Sequence, residues 1–189
     1  MNLILDLDNT LIDGWIENDP YENENGQCPV VTLVARPFLT DFLKFAFDTF
    51  ERVSIWTNAS RMWYELCHDR ILCECIPEGK KFHFVKTIDD GLVIIPSSQP
   101  KLLKKIFNMY SEYNIMNTLI LDDAPHTYRL NRSCAIPINP FVSHKNPFAE
   151  EKITGTITEE LCNSDNELNR VMGVITKLLD MERDKSNHK

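Results

Sequence analysis

Three short apolar segments constrain the fold of this chain more than any other feature, because each suits a buried strand and each ends in polar residues. They cover residues 3–7, 53–56 and 118–121. Helical patterns separate the segments, and strands that alternate with helices favour a parallel sheet with helices on both faces. The first such pattern begins at Pro37 and continues through Phe50. We therefore expect an α/β fold with a Rossmann-like, mostly parallel sheet.

Two hairpins are predicted beside this sheet. Trp15 and Ile16 are expected to pair with residues 30–34 as a small β-hairpin flap, after which the chain enters its first helix. Residues 82–95 predict a second hairpin, because an Asp-Gly turn separates two apolar runs.

Three further helices follow from capping residues and apolar spacing. Ser60 is placed to cap a helix that runs toward Cys75. The next helix is predicted to start near Pro100, and a final amphipathic helix is predicted over residues 165–182.

Length and charge narrow the class of protein. The chain has 189 residues, which suits one domain, predicted over residues 1–182 with no large cap domain and with a disordered tail at 183–189. Its net charge of -8 makes nucleic acid an unfavourable partner, and no apolar run approaches the roughly 18 residues of a membrane span.

The first basic residue is Arg36, so the start resembles no targeting peptide. The expected location is the cytoplasm or nucleus, not the secreted space.

The cysteines exclude several kinds of site. There are six, without the paired spacing of a zinc site, and reduced thiols are expected outside secretory compartments. No cysteine is followed six positions later by the arginine that a cysteine phosphatase needs to hold phosphate. The Gly79-Lys80 pair has Glu74 where a nucleotide P-loop needs glycine, so that motif is excluded as well.

Polar residues follow each of the three predicted strands. The carboxyl ends of parallel strands meet at one edge of a sheet, where ligands bind. Carboxylates from the first and third segments would then lie close together, which is unfavourable without a cation. Carboxylate oxygens favour Mg²⁺ over zinc. The three groups are Asp6-Leu7-Asp8-Asn9-Thr10, Thr57-Asn58 and Asp122-Asp123.

These residue types suit phosphoryl transfer. With Mg²⁺ neutralising the phosphoryl oxygens, an aspartate can attack phosphorus and form an aspartyl-phosphate. The Thr57 hydroxyl and nearby amides would bind one side of the phosphate, and Lys101 the other. Lys101 is expected in the first turn of a helix, where a cation is unfavourable unless an anion binds there. The alternatives are an ordinary exposed Lys101, or Lys104 as the phosphate ligand.

Four motifs in this order resemble those of the haloacid dehalogenase superfamily of phosphotransferases. A single Asp-x-Asp-x-Thr motif is weak evidence, whereas four motifs on matching elements are strong evidence. They are Asp6-Leu7-Asp8-Asn9-Thr10, Ser54-Ile55-Trp56-Thr57-Asn58, Lys101 and Leu121-Asp122-Asp123.

Longer stretches give a narrower resemblance, to the RNA polymerase II C-terminal-domain phosphatases of the small, NLI-interacting-factor-like type. It covers roughly residues 1–142. Within that group the chain looks similar to compact versions encoded by large DNA viruses. The stretches that carry the resemblance are residues 5–11, 36–43, 56–60 and 121–128.

The resemblance implies a role for each motif residue. Asp6 would be the nucleophile and a Mg²⁺ ligand, and Asp8 the general acid and base, with its backbone carbonyl on the metal. Asp123 would ligate Mg²⁺, with Asp122 supporting it or sharing the ligation. The remaining roles are phosphate binding by Thr57, Asn58 and Lys101, and bracing of the first loop by Thr10.

The chain departs from the family pattern at two places. Asn9 replaces a glutamate common in this group, and the segment before Arg36, which normally shapes peptide recognition, is short and acidic. Trp63 and Tyr64 follow the second motif and are candidates for a peptide groove, with core packing as the alternative for each.

The leading interpretation is a Mg²⁺-dependent phosphatase for phosphoserine or phosphothreonine in proteins, with the RNA polymerase II tail as one candidate substrate. The alternatives are a phosphatase of small phosphomonoesters or nucleic-acid ends, and a binding protein that keeps the fold without turnover.

Overall fold

A five-stranded parallel sheet forms the centre of the structure, a computed structural model that describes residues 1–17, 29–92, 100–149 and 158–187. The strand order is β5-β4-β1-β6-β7, with β2 and β3 forming a separate antiparallel pair. In chain order the strands are β1 (Asn2–Leu5), β2 (Ile12–Glu17), β3 (Val30–Ala35), β4 (Arg52–Trp56), β5 (Val85–Lys86), β6 (Thr118–Asp122) and β7 (Ala135–Pro137).

The helices cover both faces of this sheet, which confirms the predicted α/β fold. They are α1 (Leu39–Thr49), α2 (Arg61–Cys67), α3 (Cys73–Cys75), α4 (Leu103–Met109), α5 (Pro125–Tyr128), α6 (Glu159–Asn163) and α7 (Glu167–Asn187). The two longest are α1 and α7, with 11 and 21 residues. A π-helical turn (His68–Leu72) joins α2 to α3, and a 3₁₀ turn (Ile88–Asp90) follows β5.

Strand β1 is buried on both faces and therefore occupies the middle of the sheet. Leu3 and Leu5 pack into a cluster with α1 and α7, whereas Ile4 packs into a second cluster with β4 and α4. This alternation follows from the two-residue period of a strand. Leu5 pairs in register with Ile55 of β4 and Leu121 of β6, so the three strands end at the same level.

The hairpin of β2 and β3 stands beside this edge of the sheet. Its six residue pairs run from Ile12–Ala35 to Glu17–Val30, and they confirm the small insert predicted from the sequence. Residues 18–28, the polar stretch between the two strands, lie outside the described residues.

The structure corrects two predicted element boundaries. Within the predicted second hairpin, Val85–Lys86 form β5, which pairs in parallel with β4, and Ile88–Asp90 form a 3₁₀ turn. Residues 93–95 lie outside the described part, so the hairpin itself stays a prediction. Helix α4 begins at Leu103 rather than near Pro100. Helix α7 continues to Asn187, so the tail predicted to be disordered after Arg183 is helical to that point.

No helix in the described ranges combines the length and the apolar character that crossing a bilayer requires.

Candidate active site

Residues from three strands meet at the carboxyl edge of the sheet. Asp6 directly follows β1, Thr57 directly follows β4, and Asp122 is the last residue of β6. All three are buried, with Asp122 fully so and Thr57 1% exposed. The predicted convergence of carboxylates far apart in the chain is therefore present, because equal strand register places the strand ends side by side.

Lys101 forms the cationic centre of this edge. Its Nζ lies 2.5 Å from Asp6 Oδ1 and 2.8 Å from Asp122 Oδ2, and the residue is 1% exposed. Two carboxylates offset the cost of burying the ammonium. Lys104, the alternative lysine, lies on the exposed face of α4.

The sequence predicted that Lys101 lies in the first turn of a helix, whereas the structure places it in the loop before α4. Lys101 precedes α4 by two residues, so it does not sit in the first turn of a helix. Its backbone N–H donates to the carbonyl of Thr127 over 2.6 Å, and the side-chain amide of Asn131 donates to its carbonyl. The Asn131 Oδ1 also accepts from the backbone N–H of Leu103 at 3.3 Å. No sequence motif marked Asn131, whose role depends on a turn that brings α5 beside this loop.

Three carboxylates are close enough to share one cation. Oxygens of Asp6, Asp122 and Asp123 lie within 4.8 Å of one another. Thr10 Oγ1 lies 3.2 Å from Asp6 Oδ2 and 3.1 Å from Asp123 Oδ1, and it accepts from the Asp123 backbone N–H. Asp122 uses Oδ1 to accept from the Ala124 N–H and Oδ2 to bind Lys101. Hard oxygen donors in this spacing fit Mg²⁺.

The electrostatics of the cluster also favour a bound cation. Burial raises the pKa of the Asp6 carboxyl well above its usual range; Lys101 opposes this rise, and Asp122 and Asp123 add to it. Burial, followed by the nearby Asp122 charge, likewise raises the pKa of Asp123. The same two carboxylates that hold Lys101 outweigh the effect of its burial and raise its pKa above the ordinary value. Burial is the largest cost of ionising Asp6 and Asp123, and repulsion between neighbouring carboxylates adds to it, so a bound cation would stabilise the ionised cluster.

This repulsion gives a prediction for Asp123→Asn. A carboxyl whose pKa is raised on folding lowers stability at neutral pH, so without Mg²⁺ the variant should be as stable as the wild type or more so. Mg²⁺ at about 100 times its Kd should stabilise the wild type by about 2.7 kcal/mol, and the variant by less at the same concentration. Urea unfolding with and without Mg²⁺ measures both effects.

The matched control for that experiment is Asp48→Asn, which removes an exposed carboxylate on α1. It should respond to Mg²⁺ as the wild type does. A wild type without Mg²⁺ stabilisation, or an Asp123→Asn response equal to that of the wild type, would contradict a metal site at this cluster.

The Asp8 carboxylate lies outside the three-carboxylate group, and the metal contact predicted for its backbone carbonyl stays a prediction. The carboxylate accepts hydrogen bonds at both oxygens. Trp63 Nε1 donates to Oδ1 over 2.6 Å, and Thr57 Oγ1 donates to Oδ2 over 3.1 Å. An acid–base role for Asp8 remains compatible with this placement, because both donors hold the carboxyl at the same edge as Asp6.

The second motif also contributes Thr57 and Asn58. Thr57 Oγ1 accepts from the backbone N–H of Ala59 at 3.0 Å, which orients the hydroxyl. Asn58 is partly buried, and its Oδ1 has no hydrogen-bond partner within the described part of the chain. Phosphate binding by these two residues stays a prediction.

Trp63 and Tyr64 do not form the pair of groove residues that the sequence suggested. Tyr64 is 8% exposed and packs into the core cluster that contains α1, which corrects its predicted role. Trp63 is partly buried and directs its indole N–H at Asp8. The two neighbours differ because successive residues of α2 point about 100° apart.

The backbone conformation at position 9 accounts for the asparagine that departs from the family pattern. Its backbone has φ 59°, a left-handed conformation that asparagine tolerates better than most residues. Its side-chain amide donates to the carbonyl of Phe141 over 2.9 Å and to Asp13 Oδ1 over 3.3 Å. Asparagine therefore both permits the turn between Asp8 and Thr10 and fastens it to the segment after β7.

The comparisons with known proteins agree with this geometry. The model of the NLI interacting factor-like phosphatase family matches residues 1–184. The chain belongs to this family. The result confirms the narrower resemblance drawn from the longer stretches, whereas a viral origin stays a prediction.

Two curated relatives carry the name ubiquitin-like domain-containing CTD phosphatase 1. The protein from Drosophila melanogaster is 28% identical over 170 residues, which cover 86% of this chain and 47% of that protein. The protein from Danio rerio is 26% identical over 147 residues, covering 74% of this chain and 42% of the relative. The chain thus spans less than half the length of these relatives.

Two solved structures share the fold. Fcp1, described as an essential RNA polymerase II CTD phosphatase, superposes with a TM-score of 0.66 at 19% identity, over 99% of this chain and 64% of that one. An Arg-to-Ala variant of fission yeast Fcp1 bound to beryllium fluoride gives a TM-score of 0.65 at 19% identity, over 100% and 67%. At this identity the likeness establishes the fold alone.

Proposed function

We propose that this chain is a Mg²⁺-dependent phosphatase that acts through an aspartyl-phosphate on Asp6. The observation that carries the proposal is the contact of Lys101 with Asp6 and Asp122 beside Asp123, at the edge where Asp8 and Thr57 also lie. It would provide a nucleophile, a proton donor, a phosphate ligand and a cation site at one edge of the sheet. Mg²⁺ held by Asp6 and Asp123, with the Asp8 backbone carbonyl, would neutralise charge on the phosphoryl oxygens.

In the first step, an Asp6 carboxylate oxygen forms a bond to phosphorus while the bond from phosphorus to the leaving oxygen breaks. The Asp8 carboxyl gives its proton to that oxygen, and an alcohol departs. Lys101 and Thr57 stabilise the phosphoryl charge through hydrogen bonds.

In the second step, Asp8 acts as a carboxylate and takes a proton from water. The water oxygen bonds to phosphorus as the bond from phosphorus to Asp6 breaks, which releases inorganic phosphate and restores the carboxylate. Asp8 regains its proton in the same step, so the cycle closes without any other reactant.

The proposed substrate is phosphoserine or phosphothreonine in a protein, and the tail of RNA polymerase II is the first candidate to test. The names of the relatives support this class of substrate. The insert between β1 and α1 is a small hairpin, and a site beside a small insert suits a macromolecular chain. A cytoplasmic or nuclear location stays a prediction.

A substrate panel tests the proposal. Phosphoserine peptides, including repeats of the polymerase tail, are compared with nucleotides and with oligonucleotides phosphorylated at either end, with Mg²⁺ and with a chelator. The expected result is hydrolysis only with Mg²⁺, with the highest kcat/KM on phosphopeptides. A preference for nucleotides or oligonucleotide ends would favour the alternative phosphatase, and no turnover of any substrate would contradict the proposal.

A further inference from the structure

We infer that Trp63 is a positioning residue that keeps the transferable proton of Asp8 on Oδ2, the oxygen beside Thr57. The inference rests on the proposed function, because it concerns the acid that protonates the leaving group. It gives Trp63 a part in the chemistry that is separate from any contact with substrate.

The hydrogen bonds that Asp8 accepts from Trp63 and from Thr57 differ in kind. The indole N–H of Trp63, 2.6 Å from Oδ1, can donate but cannot accept. A proton on Oδ1 would therefore face another proton across a short contact. The Thr57 hydroxyl, 3.1 Å from Oδ2, can both donate and accept. Oδ2 is thus the oxygen that can carry the proton, and it faces the predicted phosphate-binding threonine.

The indole is held firmly enough to impose this choice. Ser60 caps α2 and accepts from the Trp63 backbone N–H at 3.2 Å, which fixes where the side chain leaves the helix. Asp89 Oδ2 accepts from the backbone N–H of Arg61, in the first turn of the same helix, at 2.6 Å. Both ends of the tryptophan, backbone and ring N–H, therefore have specific partners.

Gly14 of β2 leaves space for the six-membered ring of the Trp63 indole. A Cβ built at Gly14 would lie 2.7 Å from Trp63 Cζ2 and 2.7 Å from Leu33 Cδ2, closer than side-chain carbons approach. The indole therefore fills the space that this glycine leaves on the hairpin. The hairpin, the start of α2 and the Asp8 loop are thereby connected through one side chain.

The chemical consequence depends on the leaving group. An alkoxide, as from phosphoserine, is a poor leaving group and needs the proton, whereas p-nitrophenolate departs without one. A residue that only stabilises the fold would affect both substrates equally. In the first step, formation of the aspartyl-phosphate, a residue that directs the Asp8 proton affects the alkyl phosphate alone.

The test compares Trp63→Phe with the wild type on a phosphoserine peptide and on p-nitrophenyl phosphate, with Mg²⁺. General acid catalysis is worth about 10² to 10⁴-fold, so losing its orientation should lower kcat/KM for the peptide by about 10 to 100-fold. The kcat/KM for p-nitrophenyl phosphate should change by less than about threefold, since it reports on the first step, which does not need the proton for this leaving group. Gly14→Ala, which displaces the same ring, should give the same selective loss.

Trp15→Phe is the matched control. Trp15 is 5% exposed, and its indole N–H donates to Glu17 Oε1 over 2.8 Å, so the variant also removes an indole–carboxylate hydrogen bond on the hairpin. It should leave the ratio of the two rates unchanged. Equal losses on both substrates in Trp63→Phe and Gly14→Ala, with an active wild type, would overturn only the role of Trp63. A wild type that hydrolyses neither substrate would overturn the proposed function and this role with it.

Discussion

Asp6→Asn should abolish Mg²⁺-dependent hydrolysis of phosphomonoesters, with kcat falling by about 10⁴-fold or more, as when other covalent nucleophiles are removed. The amide cannot form the aspartyl-phosphate, and it also removes one of the carboxylates that neutralise Lys101. Lys101 retains its contact with Asp122, and a neutral side chain at this buried position avoids the unfavourable burial of a charge. The variant should therefore remain folded, which makes the activity loss interpretable.

Two measurements make this experiment decisive. Asp48→Asn, the same substitution at an exposed site on α1, should keep full activity. Beryllium fluoride with Mg²⁺, which mimics a phosphorylated aspartate, should raise the thermal stability of the wild type and of Asp48→Asn but not of Asp6→Asn. Full activity in Asp6→Asn would refute the aspartyl-phosphate mechanism, and no beryllium fluoride response in the wild type would favour a different phosphoryl acceptor.

Arg36→Met should produce a large loss of stability while leaving the catalytic carboxylates intact. The Arg36 side chain is fully buried and binds both oxygens of Asp165, each at 2.9 Å. It also donates to the backbone carbonyls of Thr10 at 3.0 Å and Asn139 at 2.8 Å, and its guanidinium lies 5.5 Å from the centre of the Phe141 ring. One side chain thus joins the first motif loop, the segment after β7 and the approach to α7.

The expected loss of stability depends on the groups that the substitution leaves without a partner. Removing one partner of a buried ion pair typically costs about 3–5 kcal/mol, because the other charge and its hydrogen-bonding groups lose their compensation. For a chain of this length that corresponds to a fall in Tm of about 10 °C. Arg36→Lys should also be destabilising, since an ammonium cannot reproduce the paired contacts with Asp165. Urea and thermal unfolding measure both variants.

Arg183→Met provides the control for that substitution. The Arg183 side chain is 77% exposed and lies 3.7 Å from Asp180 on α7, so its removal should change the free energy of unfolding by less than about 0.5 kcal/mol. Arg36→Met should also weaken activity, because Thr10 contacts both Asp6 and Asp123. A stability loss no larger than that of Arg183→Met would show that the buried contacts of Arg36 contribute little.

The sequence predicts which strands carry the site residues, because local patterns of apolar and polar residues indicate where those strands lie. Continuous apolar runs at residues 3–7, 53–56 and 118–121 indicate strands buried on both faces, and polar residues after them must then lie at a common edge. This reasoning identifies Asp6, Thr57 and Asp122 from the sequence alone. It was less successful for short elements, such as the two-residue β5, whose pairing with β4 has no strong apolar pattern of its own.

The atoms that each side chain contacts required the tertiary structure. Arg36 and Asp165 are 129 residues apart, and Asn131 supports Lys101 from a turn 30 residues away. Such contacts depend on how loops from different elements pack, which no local pattern encodes. The sequence by itself therefore determined the sheet, the family motifs and the edge where they meet. Only the packing decided that Lys101 is buried between two carboxylates and that Asp8 faces Trp63, because the direction of a side chain depends on its neighbours in space.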